Sequence, residues 1–308
     1  MLFTHYMPGH APLFCHFTRT MQIFSIRVTE LEVSEWPLEV YGVAASRDVV
    51  DYRRNILFLR TRDDCQFLTE QDSFLHLTGP SRTIMSSDDV WIEIQLKVKG
   101  RTKSEDRSLI TKAFSCNGCD GDGFFTRSIN GCFSRIDVCC EHLRESIQAT
   151  ILRASPADHL NGSLPFQNGV QVVCTSLPEE DVEAESERTS KHVVLLARKD
   201  GTMPVDEDGY LDLSRQVVPV KLKGILEILI TTFPQSGDIS DCVVFTPEFS
   251  NISQKSCVLC ECELEITVAW SLLVDDEQNM LMMGYTKPDI APSPLPFMEL
   301  VDPLHWCT

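Results

Sequence analysis

Hydrophobic and polar residues alternate with a period of two along most of this chain. The alternation is clear from Met21 (MQIFSIRVTELEV), from Trp91 (WIEIQLKVKG) and from Leu264 (LEITVAWSLLV). Because successive side chains of a strand point to opposite faces, the pattern predicts strands with one face buried. The apolar runs NILFL from Asn55 and HVVLL from His192 predict strands that are buried on both faces.

Turn-forming residues separate these predicted strands, and helical periodicity is confined to residues 104–112 and 140–147. The turn signals are Asp63-Asp64, Gly79-Pro80, Asp200-Gly201, Asp208-Gly209 and Ser236-Gly237-Asp238. Many short strands joined by such turns are typical of sandwiches and barrels. The sequence therefore predicts an all-β fold with few short helices.

The second half of the chain resembles a diverged copy of the first. Five pairs of segments occur in the same order: 36–43 with 164–170, 55–64 with 192–201, 72–77 with 208–213, 96–100 with 220–224, and 139–152 with 260–273. From the second pair onward the offset falls from 137 to 121 residues, and such an ordered series is what duplication followed by loop trimming leaves. We therefore expect two sandwich-like repeats, in tandem or fused across a pseudo-twofold axis.

The repeats and their flanks give four predicted regions. Residues 1–20 form a flexible N-terminal segment, residues 21–153 the first β repeat and residues 154–274 the second. Residues 275–308 form a proline-rich tail, in which four prolines within nine residues disfavour a paired strand. Whether the repeats share one core or have two remains open at this point.

Composition narrows the possible partners. The formal net charge is −18, with 43% hydrophobic and 23% charged residues, as expected of a folded acidic protein. Nucleic acids and anionic membranes both require clustered basic residues, so we expect neither as a partner. The acidic run at residues 179–187 and the basic stretch at residues 97–107 are the surfaces we expect to contact a protein partner.

Cysteine usage indicates a reducing compartment. The chain contains 13 cysteines, an odd number, and its first residues lack a cationic segment followed by an apolar stretch. No stretch approaches the 18 or so apolar residues of a membrane span. We therefore expect a cytoplasmic or nuclear protein whose thiols are mostly buried as small hydrophobic side chains.

Two CxxC pairs give a candidate metal site. The pairs are Cys116–Cys119 and Cys257–Cys260, and thiolates two residues apart on a tight loop can bind tetrahedral zinc. The alternative is that these are buried structural thiols, because only the first pair has the glycine that such a loop favours.

Aspartate-glycine motifs give a second metal hypothesis, a calcium loop. Asp120 and Asp122 flank one such motif, and Asp206 and Asp208 precede another, but neither segment supplies the later ligands of a twelve-residue calcium loop. Ordinary Asx-Gly turns explain both. The chain also lacks a Gly-x-Ser-x-Gly elbow, a recognisable Cys-His arrangement and a glycine-rich phosphate loop, so we expect no catalytic residues and no cofactor.

Several motifs together resemble a family of uncharacterised grass proteins that is defined by a domain of unknown function. The resemblance covers roughly residues 22–274 and rests on IFSIRVTELE, WPLEVYGVAASRD, NILFLRTRDDCQFL, LHLTGPSR, IEIQLKVKGRTKSEDR, YLDLSRQVVPVKLKG, FTPEFSNISQ and EITVAWSLLV. It implies a plant protein. Some family members carry this domain behind a ribosome-inactivating rRNA N-glycosylase domain, which implies a role in stress or defence. We expect no such toxin domain in this chain, because the 20 residues before the match are too few for it.

Together these features favour a non-catalytic binding or regulatory β-module that contacts its partner through loops at the ends of the sandwiches. Two alternatives remain: an accessory module linked to rRNA N-glycosylase activity, and a module that binds zinc or calcium. The ligand, the oligomeric state and the biological trigger are left open by the sequence.

Overall fold

The computed structural model describes residues 15–31, 36–51, 53–116, 122–131, 133–156, 169–178, 192–198, 205, 210–233, 237–259 and 262–274. Within these ranges the fold is all-β, which confirms the prediction. The helical content of the described residues is one short 3-10 helix, Lys103–Glu105.

The first half of the chain contributes strands β1 to β9. Their bounds are β1 Cys15–His16, β2 Thr18–Leu31, β3 Leu38–Arg47, β4 Asn55–Arg60, β5 Gln66–Leu68, β6 Ile84–Met85, β7 Val90–Val98, β8 Arg107–Cys116 and β9 Gly123–Asn130. Strand β10 follows and belongs to both halves. The second half contributes the remaining strands. Their bounds are β10 Ser134–Pro156, β11 Val170–Pro178, β12 Val193–Arg198, β13 Val217–Lys221, β14 Gly224–Thr232, β15 Ile239–Phe245, β16 Ser250–Leu259, β17 Cys262–Ser271 and β18 Leu273–Val274.

The strands form two sandwiches with the same topology. In the first sandwich, a sheet ordered β4-β3-β7-β8 packs on one ordered β9-β10-β2-β6, and β5 extends the edge of β3. In the second, a sheet ordered β12-β11-β14-β15 packs on one ordered β16-β17-β10-β13. Apart from β5, each strand of the first sandwich therefore has a counterpart at the same place in the second, and the prediction of two sandwich-like repeats is confirmed.

Individual hydrogen bonds repeat along with the topology. The amide of Leu75 donates to the carbonyl of Ile26 at 2.8 Å, and the amide of Leu211 donates to the carbonyl of Ala154 at 2.8 Å. These leucines belong to the matched segments 72–77 and 208–213, and all four leucines of the two segments (75, 77, 211 and 213) are buried. The two segments therefore occupy equivalent places in the fold. Each is hydrogen-bonded to an equivalent strand, β2 in the first sandwich and β10 in the second, and each buries two leucines in the core of its sandwich.

Strand β10 connects the sandwiches without a linker. Its residues 134–146 pair with β2, and its residues 148–156 pair with β17. At the change of partners Glu145 has a φ of 45°, an uncommon value for a residue with a side chain. The predicted boundary between residues 153 and 154 falls inside this strand.

Each sandwich has its own hydrophobic core. One core includes Ile23, Val40 and Ile94, and the other includes Val172, Ile228 and Ile266. A third, small cluster lies at the junction, where Val50 and Met85 of the first sandwich pack against Leu273 and Val274 of β18. β18 in turn pairs with β1. The junction is therefore packed by apolar side chains from both halves.

Two expectations from the sequence were wrong in detail. Of residues 104–112, which were expected to be helical, residues 104 and 105 lie in the 3-10 helix and residues 107–112 lie in β8. Residues 140–147, also expected to be helical, lie in β10, because pairing with neighbouring strands outweighs weak local helical periodicity. The match of residues 96–100 with 220–224 joins non-equivalent places, since the first ends β7 and the second runs from β13 into β14. Most of the predicted flexible N-terminal segment (residues 1–14) and the tail (residues 275–308) lie outside the described residues, whereas β2 already begins at Thr18.

Candidate functional site

The connection between β7 and β8 concentrates positive charge on an acidic protein. We call residues 97–107 the basic turn. It contains five basic and two acidic residues, and its basic side chains are Lys97, Lys99, Arg101, Lys103 and Arg107. All five except the half-buried Lys99 are exposed. Among the residues that the structure describes, none of the five forms an ion pair with a carboxylate.

Asp106 holds the basic turn against the end of the sheet. Its carboxylate accepts hydrogen bonds from Arg62 Nε at 2.8 Å, from Tyr41 Oη at 2.7 Å and from the amide of Gly100 at 2.7 Å. Arg62 also donates to the carbonyl of Gly100 at 2.8 Å. The Asp106 side chain is only 4% exposed. The Asp106 carboxylate is therefore hydrogen-bonded to β3, to the segment after β4 and to the opposite end of the basic turn.

The contacts around Asp106 determine the ionisation states of its carboxylate and of the Tyr41 hydroxyl. The hydrogen bonds from the Arg62 side chain and the Gly100 amide hold the pKa of Asp106 well below its usual range. Desolvation, followed by the hydrogen bond to Asp106, raises the pKa of Tyr41 to about 12. Asp106 is therefore an anion and Tyr41 a neutral donor across the physiological pH range.

The backbone of the turn is compact. A Cβ atom added at Gly100 would lie 2.7 Å from the backbone carbonyl carbon of Glu105, so the close approach requires glycine. The Glu105 side chain accepts a hydrogen bond from the amide of Thr102 at 3.2 Å, and the Glu105 amide donates to the carbonyl of Thr102 at 3.0 Å. These contacts close a short 3-10 turn that projects Arg101 and Lys103 outward.

The outer face of the β4-β3-β7-β8 sheet continues from the basic turn. Lys97 lies opposite Tyr41 in the sheet, and Trp91, 49% exposed, lies opposite Arg47. Between them Glu93 accepts hydrogen bonds from Arg47 Nε at 2.6 Å and from Arg54 Nε at 2.7 Å. This face combines arginine, lysine and an exposed tryptophan, side chains that are common in protein interfaces.

The counterpart surface of the second sandwich lacks this positive charge. The connection between β14 and β15, residues 233–238 (FPQSGD), contains no basic residue. Strands β11, β14 and β15, which form most of the sheet beside it, contain no lysine or arginine either. The exposed side chains there include Leu229 and Val244, each 36% exposed. The positive charge is therefore specific to one copy of the repeat.

A second polar cluster is buried near the junction of the sandwiches. Arg82 Nη1 donates to Asp48 Oδ2 at 2.6 Å, Arg82 Nη2 pairs with Asp48 Oδ1, and both side chains are no more than 3% exposed. Asp48 also accepts from the amide of Met85 at 2.9 Å. The neighbouring Thr83 amide donates to Gln148 Oε1 of β10 at 2.8 Å. The Asp48 carboxylate, the Met85 and Thr83 amides and the Gln148 side chain have their partners within the fold, so the cluster is structural.

Arg215 links the two sandwiches directly. It is 2% exposed, and its guanidinium donates to the carbonyls of Ile23 at 2.8 Å and Phe24 at 3.3 Å, both on β2. Burial lowers the pKa of Arg215 to about 10. Burial also raises the pKa of the nearby Cys174 thiol to about 12. Cys174 is therefore a protonated, unreactive core residue.

The structure separates the two described members of the proposed zinc site. Cys116 packs in the core of the first sandwich and Cys257 in the core of the second, while Cys119 and Cys260 lie outside the described residues. Burial, followed by Asp241, Cys242 and Cys262, raises the pKa of Cys257 to about 11. Within the described ranges, no three His, Cys, Asp or Glu side chains are arranged to hold a metal ion. The four-cysteine site stays a prediction.

Of the four aspartates in the calcium hypothesis, the structure describes one, Asp122. Asp120, Asp206 and Asp208 lie outside the described residues. Asp122 forms ion pairs with Arg19, at 2.6 Å, and with Arg144. Its carboxylate therefore has cationic side chains as partners. The acidic run at residues 179–187 also lies outside the described ranges.

Sequence reasoning identified the basic stretch but missed what organises it. Tyr41, Arg62 and Asp106 come from three separate segments, and no local pattern marks them as partners. The one available signal is Gly100 within a charged stretch, which indicates a tight backbone.

Comparison with known proteins shows the family. A family described as a domain of unknown function (DUF6598) matches residues 20–268, and the chain belongs to this family. No curated protein matches the chain. In the described residues, no helix is long and apolar enough to cross a membrane.

Solved structures give distant similarities. Human GIVD cytosolic phospholipase A2, in complex with methyl gamma-linolenyl fluorophosphonate, is 8% identical with a TM-score of 0.25 over 84% of this chain and 33% of its own. The chain thus spans about a third of that protein. A structure of two tandem C2 domains of extended synaptotagmin 2 is 10% identical with a TM-score of 0.26, over 89% of this chain and 98% of its own.

Proposed function

We propose that this member of the DUF6598 family is a non-catalytic binding module that docks an acidic segment of a protein partner on the basic turn. The observation that carries the proposal is the anchoring of the turn by Asp106, which leaves Lys97, Arg101, Lys103 and Arg107 exposed and without carboxylate partners among the described residues. Cations held on a rigid backbone lose less entropy on binding than cations on a mobile loop.

The electrostatics favour an acidic ligand at this place despite the overall charge. At physiological ionic strength the Debye length is about 8 Å, so the net charge of −18 is largely screened at the distance of a loop contact. Single exposed ion pairs contribute about 0.2–1 kcal/mol, and several acting together are therefore needed for useful affinity. The basic turn has four exposed basic side chains within eleven residues, so several ion pairs can form with one acidic segment.

The proposal also covers the cellular compartment and the biological role of the protein. We place the protein in the cytoplasm or nucleus of a grass, in stress or defence, with an accessory link to rRNA N-glycosylase activity as the alternative. Support for this setting comes from the sequence motifs shared with grass proteins and from the cysteine usage. The acidic composition supports a protein partner over nucleic acid or membrane.

A charge-reversal experiment tests the binding proposal. We expect Arg101→Glu/Lys103→Glu to weaken binding of a fluorescein-labelled peptide of alternating Glu and Ala by about tenfold, measured by fluorescence anisotropy at physiological ionic strength. The matched control Lys112→Glu/Lys223→Glu makes the same change in net charge on exposed lysines outside the turn. It should bind like the wild type.

Three outcomes would overturn the proposal. The first is an absence of peptide binding by the wild type, and the second is an equal loss of binding in the control variant. The third is tighter, equally charge-dependent binding of duplex RNA, which would assign the turn to a nucleic acid.

A further inference from the structure

We infer that the basic turn and an apolar patch on the adjacent sheet face form one continuous docking surface, whose partner is an acidic segment that also carries an apolar side chain. This inference rests on the proposed function and names the chemistry of the partner at the same site. We call Val43, Ile56 and Leu59 the apolar patch. Val43 lies on β3, and the other two residues lie on the neighbouring strand β4.

The apolar patch lies on the outer face of the β4-β3-β7-β8 sheet. Val43 is directly opposite Leu59 in the sheet, and Leu59 is 57% exposed. Each residue of the patch has a fully buried neighbour on its strand, namely Ala44, Leu57 and Phe58. Adjacent side chains of a strand point to opposite faces, so the three patch residues point away from the core.

The patch and the basic turn are neighbours on this face. Lys97, the first residue of the turn, lies opposite Tyr41, and Tyr41 is two residues before Val43 on β3. Residues two apart on a strand share a face and are separated by about 7 Å. An extended segment whose carboxylate pairs with Lys97 can therefore place a side chain two residues further on over the apolar patch.

Exposed aromatic side chains lie on either side of the patch. Phe67 is 61% exposed and lies opposite Glu39, whose carbonyl accepts a hydrogen bond from the amide of Lys99 at 2.8 Å. Phe67 is therefore beside the basic turn. Trp91, at the other end of the face, lies opposite Arg47. Large apolar side chains beside cations are typical of the residues that contribute most to binding energy in interfaces.

The two parts of the surface contribute differently to recognition. Ion pairs at the basic turn are individually weak and are screened by salt, and they do not distinguish one polyanion from another. Burial of apolar surface is not screened in this way. An apolar contact beside the turn therefore selects acidic segments with an apolar side chain over other polyanions.

The second sandwich supplies an internal comparison. Leu229 of β14 is 36% exposed and lies between the buried Ile228 and Ile230, so it points outward on the counterpart sheet. The connection that follows β14, residues 233–238, contains no basic residue. An exposed leucine is thus present in both sandwiches, but the leucine of the first sandwich lies beside a basic turn. Leu229 is therefore the matched control for Leu59.

Two labelled peptides test this inference. The first is the alternating Glu-Ala peptide, and the second is identical except that its central alanine is replaced by leucine. By fluorescence anisotropy at physiological ionic strength, we expect the wild type to bind the leucine peptide about tenfold more tightly. Leu59→Ser should remove this gain and leave binding of the Glu-Ala peptide unchanged. Leu229→Ser, the same change at an exposed leucine of the other sandwich, should keep the gain.

The outcomes separate this inference from the proposed function. Equal binding of both peptides by the wild type would overturn the apolar contact and leave acidic-segment binding intact. Binding of neither peptide would overturn both. A gain that survives in Leu59→Ser, or that is lost equally in Leu229→Ser, would show that the patch is not the contact. If Arg101→Glu/Lys103→Glu bound the leucine peptide as tightly as the wild type does, the turn and the patch would not be one surface.

Discussion

The two sandwiches have the same strand order but different polar chemistry. The β7–β8 connection of the first carries five basic residues within residues 97–107, whereas the β14–β15 connection of the second, residues 233–238, carries none. The strands that support both connections pair in the same way. The comparison indicates that alternating apolar residues preserve the scaffold, while the connections can change without disturbing it.

Two buried arginines, Arg82 and Arg215, occupy equivalent positions in the two sandwiches but have different hydrogen-bond partners. Arg82 stands two residues before β6, and Arg215 stands two residues before β13, the counterpart strand. Arg82 pairs with a carboxylate of its own sandwich, Asp48, whereas Arg215 donates to backbone carbonyls of the other sandwich. One arginine therefore stabilises a loop within a module, and the other contributes to the junction between modules.

Breaking the ion pair of the first sandwich should have the largest effect. Arg82→Met leaves the Asp48 carboxylate buried without its cation, and removing one partner of a buried pair typically costs about 3–5 kcal/mol. We expect a loss of this size in the free energy of unfolding, measured by urea denaturation followed by tryptophan fluorescence. The double variant Asp48→Asn/Arg82→Met should recover part of the loss. A loss below about 1 kcal/mol in the single variant would contradict the buried pair.

Removing the junction arginine should cost less. Arg215→Met deletes hydrogen bonds from a charged donor, worth about 1.5–3 kcal/mol each, but it also removes a cation whose burial is itself unfavourable. We expect a net loss of no more than about 2 kcal/mol under the same denaturation conditions. A cost greater than that of Arg82→Met would reverse the ranking of the two arginines and make the junction the more stabilising contact.

The smallest expected effect concerns pH and is confined to the first sandwich. Folding raises the pKa of Tyr41 from 10.0 to about 12, so protonated Tyr41 stabilises the fold fully below pH 10. Between about pH 10 and pH 12 the unfolded state loses its proton first, and this contribution is lost as the pH rises. The wild type should therefore lose more stability than Tyr41→Phe between pH 8 and pH 11, as measured by urea denaturation. Equal losses in both proteins would contradict the Tyr41–Asp106 hydrogen bond.

Local patterns predicted much of the fold and little of the site. The alternation around Met21, Trp91 and Leu264 lies on β2, β7 and β17, because a half-buried strand needs one apolar residue in every two. The matched leucines of residues 72–77 and 208–213 indicated the duplication. The helical prediction for residues 104–112 was wrong from residue 107 onward, and that for residues 140–147 was wrong throughout, since pairing between strands is not encoded in a short window.

The site depended on contacts between distant segments. Arg62 and Asp106 are 44 residues apart and Arg82 and Asp48 are 34 residues apart, and such carboxylates are indistinguishable from solvent-exposed ones in a chain with 45 acidic residues. Burial decides which of them become structural, because a desolvated charge requires a partner. No composition or spacing rule identifies that partner in advance.

By itself, the sequence determined the strand class, the duplication and the presence of a basic stretch, since each follows from side-chain periodicity or charge along the chain. The tertiary structure decided that β10 runs unbroken through both sandwiches and that Asp106 holds the basic turn. Those properties arise from register and packing between residues far apart in sequence, and these are settled when the sheets assemble.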